Sequence, residues 1–402
     1  MNRNDLISAA RARQLLAENL IPLAQKESSL KDSCGSILAE DVFAPANHPL
    51  FSQSAVDGFA IRYDDTASSN SLVIAGEVKA GEKPSLRVSA GKAVRIFTGA
   101  PVPEGADTVV MQEDAEWDEA HVKFHSQHFK RGGNIRPAGE QFKKNDTVLR
   151  KGTVLNPQAI GLLASLGIGR VKIYEPPEVK LLITGNEVVM TSENGKPGNL
   201  PEGRILESNG AMLRAALEAN KISFSIDFVE DDAAQLAKAV ANARKNYPLI
   251  LITGGVSVGD YDFTPAALKQ NGMKPIFHGV AQKPGKPLLF ACQKNCAVFG
   301  LPGNPGAVLS CFYAYVMPYI RACMNAGSFQ PSFFIPLTTD YRKPAGKTFF
   351  VAAKAGKNGV EILPWQQSYM LRSWAVADGI AELDEQAENF TKGQMVAMHF
   401  FK

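Results

Sequence analysis

The stretch "LILITGGVSVGDYDF", residues 249–263, decides how the middle of this chain folds. It opens on an apolar run with no polar residue alternating within it, and the run stops at two glycines. A run so short and so uniformly apolar predicts a strand buried on both faces. The pattern recurs upstream. "EVKLLIT" leads through a loop into the helical "NGAMLRAALEA", and "ISFSIDFV" leads into "DDAAQLAKAVANARK". Apolar strands alternating with amphipathic helices, from about 178 to 325, predict an α/β region on a parallel sheet covered on both faces.

Ligands of open parallel sheets bind beyond the carboxyl ends of the strands. Two such ends carry polar, glycine-rich loops: "LLITGNEV" (181–188), which holds Glu187, and the opening stretch itself. Gly254, Gly255 and Gly259 let the backbone approach a ligand and permit positive φ. A run of amides ahead of a helix starting near Thr264 and Pro265 favours an anion, and Ser257 adds a hydroxyl. A plain strand-to-helix turn, capped by Asp262 or Thr264, explains these residues equally well. Asp260 and Asp262 repel a bare phosphate, whereas a Mg²⁺-bridged phosphate ester accommodates amides, hydroxyl and acids together.

In "QKPGKPLLF" (282–290), Lys283 and Lys286 flank a Pro-Gly turn that directs both ammonium groups to one side. That arrangement suits a polyanion, although the same spacing is common among surface lysines. "FGLPGNPGAV" (299–308) predicts a strand, a tight loop and a helix from Pro305, with Asn304 mainly as its N-cap. "FSQSAVDGFAIR" (51–62) places Asp57 between apolar neighbours, as turn former or site carboxylate. "IFTGAPVPEGADTVVMQED" (96–114) places Thr98 at a strand end, and "RGGNIRPAGEQF" supplies Arg131, Arg136 and Glu140. A zinc site at His121, His125 and His128 is disfavoured on an expected strand and turn.

The rest of the chain frames these motifs. Asn4 or Asp5 is expected to cap a first helix running to Leu20, with Leu6, Leu15, Leu16 and Leu20 as its apolar stripe. From about 40 to 155, "SLVIAGEV", "KAVRIFTG", "DTVVMQED" and "HVKFHSQ" read as strands. "NPQAIGLLASLG" (156–167) reads as a helix capped by Asn156 and stopped by Gly167. Beyond about 326, "SFFIPLTT", "KTFFVAAK", "GVEILP" and "QMVAMHFF" suggest a C-terminal β region. The 402 residues call for several domains. With 45% hydrophobic residues, 21% charged and a net charge of only +3, nothing points to nucleic acid or a membrane surface. The N-terminal segment lacks a signal peptide's apolar core, and "AVLSCFYAYVMPYI" (307–320) is too short to span a bilayer, so it reads as a core helix. Five cysteines without a C-x-x-C pair read as reduced thiols of a cytoplasmic protein.

"SAVDGFAIR", "IFTGAPVPEGADTVVMQE", "GGNIRPAGE", "ASLGI", "GGVSVGDYDF", "KPGKP" and "GLPGNP" stand in the order seen in molybdopterin molybdenumtransferases. The chain resembles that MoeA-type family over nearly its whole length, most weakly in the first 30 and last 75 residues. Any one of these motifs is weak; seven in order are specific. The resemblance implies an α/β plus β multidomain fold in four parts. These are an elongated linking domain (1–50 and 137–176), an inserted β-rich domain (51–136), a molybdopterin-binding α/β domain (177–326) and a C-terminal β-barrel (327–402). It further implies a homodimer that acts on adenylylated molybdopterin and molybdate with Mg²⁺ and releases AMP, with the molybdopterin adenylyltransferase as a further partner. By motif, Asp57, Thr98, Glu187 and Asp262 resemble catalytic residues, and Asp57 and Asp262 resemble metal ligands. Gly254, Gly255, Ser257, Lys283, Lys286 and Ser368 resemble the residues that bind oxyanion and pterin phosphate.

Three positions depart from the pattern. Gln141 stands where the family often has an acid, Ala352 where an arginine is expected, and Glu207-Ser208-Asn209 where Asp-Ser/Thr-Asn is usual. Lys354 is expected to replace the arginine in part, as a point charge rather than a fork. Two alternatives stay open: a pterin-binding scaffold with weakened catalysis, and an adenylyltransferase on the same α/β domain.

Overall fold

A computed structural model of the chain describes residues 6–69, 71–82, 85–125, 129–190, 200–256, 263–331 and 333–401. They form two compact units, Ser28–Val171, and Met1–Glu27 together with Lys172–Lys402. Both are strand-rich, and the second is mixed α/β.

The unit Ser28–Val171 holds a six-stranded sheet ordered Thr108–Met111, Gly58–Ile61, Lys92–Ile96, Ser71–Val78, His121–Phe124, Ala115–Trp117. Strand periodicity splits its apolar residues between two cores. Phe59 and Ile61 join Leu72, Val110 and Val122 in one, while Ala60 joins Val94, Ile96 and Val109 in the other. The helix Pro157–Ser165 follows its sequence signals: the Asn156 side chain accepts from Ala159 N at 2.8 Å, and Gly167 takes φ 74° just past the end. Arg131 is held by Asp64 and Asp107, so it belongs to the scaffold here.

In the second unit the central sheet is ordered Phe224–Val229, Val179–Thr184, Leu249–Thr253, Cys296–Leu301, Leu289–Gln293, Pro275–His278. The first four strands run parallel, as their apolar runs predict. The expected parallel sheet is extended by an antiparallel edge, because Leu289–Gln293 is antiparallel to both neighbours. The cause is the short link after Gln293, where Lys294 takes φ 53°. A link that short returns a strand only antiparallel; a parallel return needs a long crossover.

Helices Asn209–Ala219, Ala233–Ala243 and Phe263–Gln270 accompany this sheet. The last begins at Phe263 with Thr264 buried inside it, so Thr264 is not the cap. The core helix runs as Pro305–Cys311, a π-helical turn Phe312–Val316 and Met317–Cys323, with Tyr315 and Tyr319 fully buried. Phe290, Phe299 and Tyr319 meet with ring centroids 4.8–5.4 Å apart, which ties this helix to the sheet.

Strands Thr348–Gly356, Gly379–Leu383, Met395–Phe400 and Phe333–Pro336 form a second sheet in that order, and Gly359–Ile362 flanks Thr348–Gly356. Leu337 bridges Val360, which brings the two ends of this set together. Gln282–Lys283 pairs in parallel with Thr348–Phe349, so the "KPGK" segment is hydrogen-bonded to this second sheet. The strand "GIAEL" (379–383) was not among the expected ones, because Glu382 interrupts its apolar run. Glu382 is nonetheless turned inward, where the buried Arg13 donates to both its oxygens (2.9 and 2.5 Å) and His399 lies 2.6 Å away.

Arg13 comes from the first helix, Ala9–Ala17, which is shorter than expected. Ser8 caps it, accepting from Arg11 N, and Leu20 lies past its end and 41% exposed. Asn4 and Asp5 lie outside the described residues. An Ala9, Ala12 and Leu16 stripe, with Arg13 beside it, is the face that is buried.

Candidate anion-binding site

Lys283, Lys286 and Ser368 line a single cleft of about 450 Å³ in the second unit. Local chemistry explains the shape of its floor. Gly285 takes φ 90°, and a Cβ there would lie 2.6 Å from Cys311 Sγ and 2.7 Å from Gln282 Nε2. Only glycine fits that turn. Gln282 is buried, donates to Gly285 O at 3.0 Å and accepts from Tyr315 of the π-helical turn. A core side chain thereby fixes the turn from below, and both flanking lysines stay exposed.

The opposite wall differs from expectation. Asn304 leaves the helix uncapped by its side chain and donates instead from Nδ2 to Ser368 Oγ at 2.8 Å. The Ser368 hydroxyl accepts that bond, so its own proton remains for a ligand. Gly306 N also donates to Ser368 O at 2.8 Å, an approach that a Cβ would block at 3.0 Å. Asn209 donates to Gly303 O, tying the "ESN" segment to the cleft rim, and Glu207 accepts from Gly210 N and Ala211 N. Glutamate therefore still caps this helix where the family usually has aspartate.

Two lining residues were missed by sequence reasoning. Lys347, in the unremarkable "GKTFF", is the third cation of the cleft; Gln366 also lines it. Gln366 Oε1 accepts from Ala352 N, and its Nε2 donates to Ala352 O, both at 2.9 Å. Ala352 is fully buried, and the exposed Lys354 faces Glu361 across the strand pair, with neither residue lining the cleft. Lys354 therefore stands away from this cleft, and Lys347 is the lysine that lines it beside Gln366. The lining includes no carboxylate. Among the described residues, no carboxylate lies within ion-pair distance of Lys283, Lys286 or Lys347. Three ammonium groups without a carboxylate beside them give this concavity a positive potential, which favours anions over cations.

The strand-end residues lie at the carboxyl edge of the central sheet. Gly254 and Gly255 take φ 85° and 57°, and a Cβ on Gly254 would lie 2.7 Å from Thr184 Oγ1. Gly254 N donates to Leu301 O, so three parallel strands converge there. Glu187 is exposed beside Gly185. Ser257, Asp260 and Asp262 lie outside the described residues.

In the unit Ser28–Val171, Asp57 and Thr98 are brought together. Asp57 Oδ1 accepts from Thr98 N and Thr98 Oγ1, each at 2.7 Å. These bonds hold the carboxyl below its ordinary range, against a smaller opposing effect of burial. No group of three or more His, Cys, Asp or Glu side chains could hold a metal among the described residues. One ionised carboxylate fits Mg²⁺ as a partial ligand, the remainder coming from phosphate oxygens and water. Gln141 uses its backbone N to donate to His48 O, and the residue is exposed.

These features define a multidomain, mixed α/β protein with a lysine-lined cleft in its second unit. Three family models cover it: "MoeA N-terminal region (domain I and II)" over 7–167, "Probable molybdopterin binding domain" over 180–322 and "MoeA C-terminal region (domain IV)" over 335–401. The molybdopterin molybdenumtransferase of Haemophilus influenzae is 34% identical, over 98% of this chain and 99% of that protein. That of Synechococcus elongatus is 35% identical, over 90% and 93%. A crystal structure of the molybdopterin biosynthesis MoeA protein of Pyrococcus horikoshii superposes with TM-score 0.84 at 28% identity, over 98% of this chain and all of that one. The chain belongs to the molybdopterin molybdenumtransferase family.

Proposed function

We propose that the protein inserts molybdenum into adenylylated molybdopterin, with hydrolysis of the pyrophosphate bond and release of AMP. Molybdenum transfer to molybdopterin is the activity for which its relatives are named. The observation that carries the reading is the cleft itself, with three lysines, a serine hydroxyl and no carboxylate. Such a set holds anionic oxygens, as molybdate and a pterin phosphate both require. Lys283, Lys286 and Ser368 bind these oxygens, with the Gly254–Gly255 turn and Ser257 completing the substrate site. Asp57, positioned by Thr98, would help to hold Mg²⁺; by motif, Asp262 would also serve as a metal ligand and Glu187 as a further catalytic acid. When bound, Mg²⁺ supplies charge neutralisation at the scissile phosphate.

The four-part division given above, a homodimeric assembly, the molybdopterin adenylyltransferase as partner and a cytoplasmic location belong to the same reading. The last is supported by five cysteines that are all free, and no helix among the described residues is long and apolar enough to cross a membrane. Incubation with adenylylated molybdopterin, Mg²⁺ and molybdate is expected to release AMP in step with molybdenum incorporation. Tight pterin binding without AMP would replace this reading with the scaffold reading.

A further inference from the structure

We infer that Lys347 is an anion-binding residue of the cleft, supplying the charge that Ala352 lacks. The inference rests on the oxyanion-site reading above and assigns one more residue to it. Lys347 lines the cleft together with Lys283 and Lys286. Its backbone is held on several sides before any ligand arrives. Lys343, itself buried, donates from Nζ to Lys347 O at 3.0 Å and to Pro344 O and Glu385 O at 3.4 Å. Gly346 N donates to Glu385 O at 2.8 Å, and Thr348 N to Ala281 O at 3.0 Å. The Phe349 ring lies 5.4 Å from Lys283 Nζ and 5.2 Å from Lys343 Nζ, so one aromatic side chain contacts the cations on both segments.

Burying an ammonium under three carbonyls is costly, and its product here is a fixed loop that presents a second, free ammonium to the cleft. A fixed loop loses little entropy on binding, which is what preorganisation means for affinity. Ala352 offers no side-chain donor, and Gln366 occupies both its backbone groups. The cleft's third cation therefore comes from Lys347 on that wall. A lysine delivers a compact point charge, which suits a tetrahedral oxyanion without demanding a bidentate partner. Molybdate and a phosphate monoester share that chemistry.

The test is titration calorimetry of the full-length protein with sodium molybdate and, separately, with inorganic phosphate. Lys347→Ala and Lys347→Gln are each expected to weaken binding about tenfold, the scale of one charged hydrogen bond. Lys347→Arg should recover most of the loss, and Lys354→Ala should bind like the parent. Loss with molybdate alone assigns Lys347 to the metal oxyanion; loss with phosphate assigns it to the pterin phosphate. Melting temperatures within a few degrees of the parent separate lost binding from lost folding. If both Lys347 variants bind like the parent while Lys286→Ala loses affinity, Lys347 has no such role and the cleft reading stands. If Lys286→Ala also binds like the parent, the cleft reading falls with it.

Discussion

Asp57 shows how neighbours set the state of a single carboxylate. Two bonds from Thr98 converge on a single carboxylate oxygen, leaving the other for a ligand. Asp57→Asn keeps the shape but removes the charge, and turnover should fall by about a hundredfold or more. Thr98→Val removes only the hydroxyl donor. Since the Thr98 bonds lower the carboxyl's pKa, losing one raises it, and the acid limb of a kcat/KM profile should move to higher pH. A limb that stayed in place would separate Thr98 from the ionisation of Asp57. Glycines give a second residue-scale case. Gly285→Ala meets Cys311 and Gln282 at positive φ, so it should cost about 1–3 kcal/mol in denaturant unfolding and weaken molybdate binding.

At the scale of elements, the first helix is joined to the C-terminal sheet through Arg13, Glu382 and His399. Burial raises the Glu382 pKa, but the bonds from His399 and Arg13 prevail and hold it at about 2, from an ordinary value of 4.5. A depressed carboxyl stabilises the fold above its unfolded value and loses that contribution on acidification. Stability from this pair should therefore be complete above pH 4.5 and vanish as pH falls to about 2. Glu382→Gln leaves Arg13 buried without its counter-charge, so it should destabilise the protein by about 3–5 kcal/mol at pH 7. The gap from the parent in urea unfolding should close as the pH is lowered. A constant gap would mean that packing, not charge, is what the substitution removes.

For the molecule as a whole, the parts legible in advance were those whose signals are local. The apolar run Leu249–Thr253 sufficed for a central strand, and Asn156 with Gly167 bounded a helix. "KPGKP" announced paired cations because both lysines flank one short Pro-Gly turn. The place of Lys347 in the cleft was not legible, because it comes from strand pairing of its neighbours with a segment over sixty residues away. Asn304 was misread as a cap for the same reason: its true partner, Ser368, is distant in sequence. Glu382 hid a strand because its partner Arg13 lies at the other end of the chain. The thiols give a whole-molecule check. Burial raises the pKa of Cys296 and Cys323 to about 11 and pushes Cys311 higher still, whereas Cys34 is exposed. Native protein should show one fast-reacting thiol with a neutral alkylating reagent, and all five after denaturation.

The short parallel pairing of Gln282–Lys283 with Thr348–Phe349 has a kinetic consequence. It laces the segment bearing Lys283 to the strand that follows Lys347, so these parts of the rim cannot swing apart as hinged jaws without unzipping backbone bonds. This part of the rim is therefore expected to stay paired whether or not an anion is bound. The Thr348 amide, bonded to Ala281 O, is the reporter: its deuterium uptake should be slow in the empty protein and little changed by molybdate.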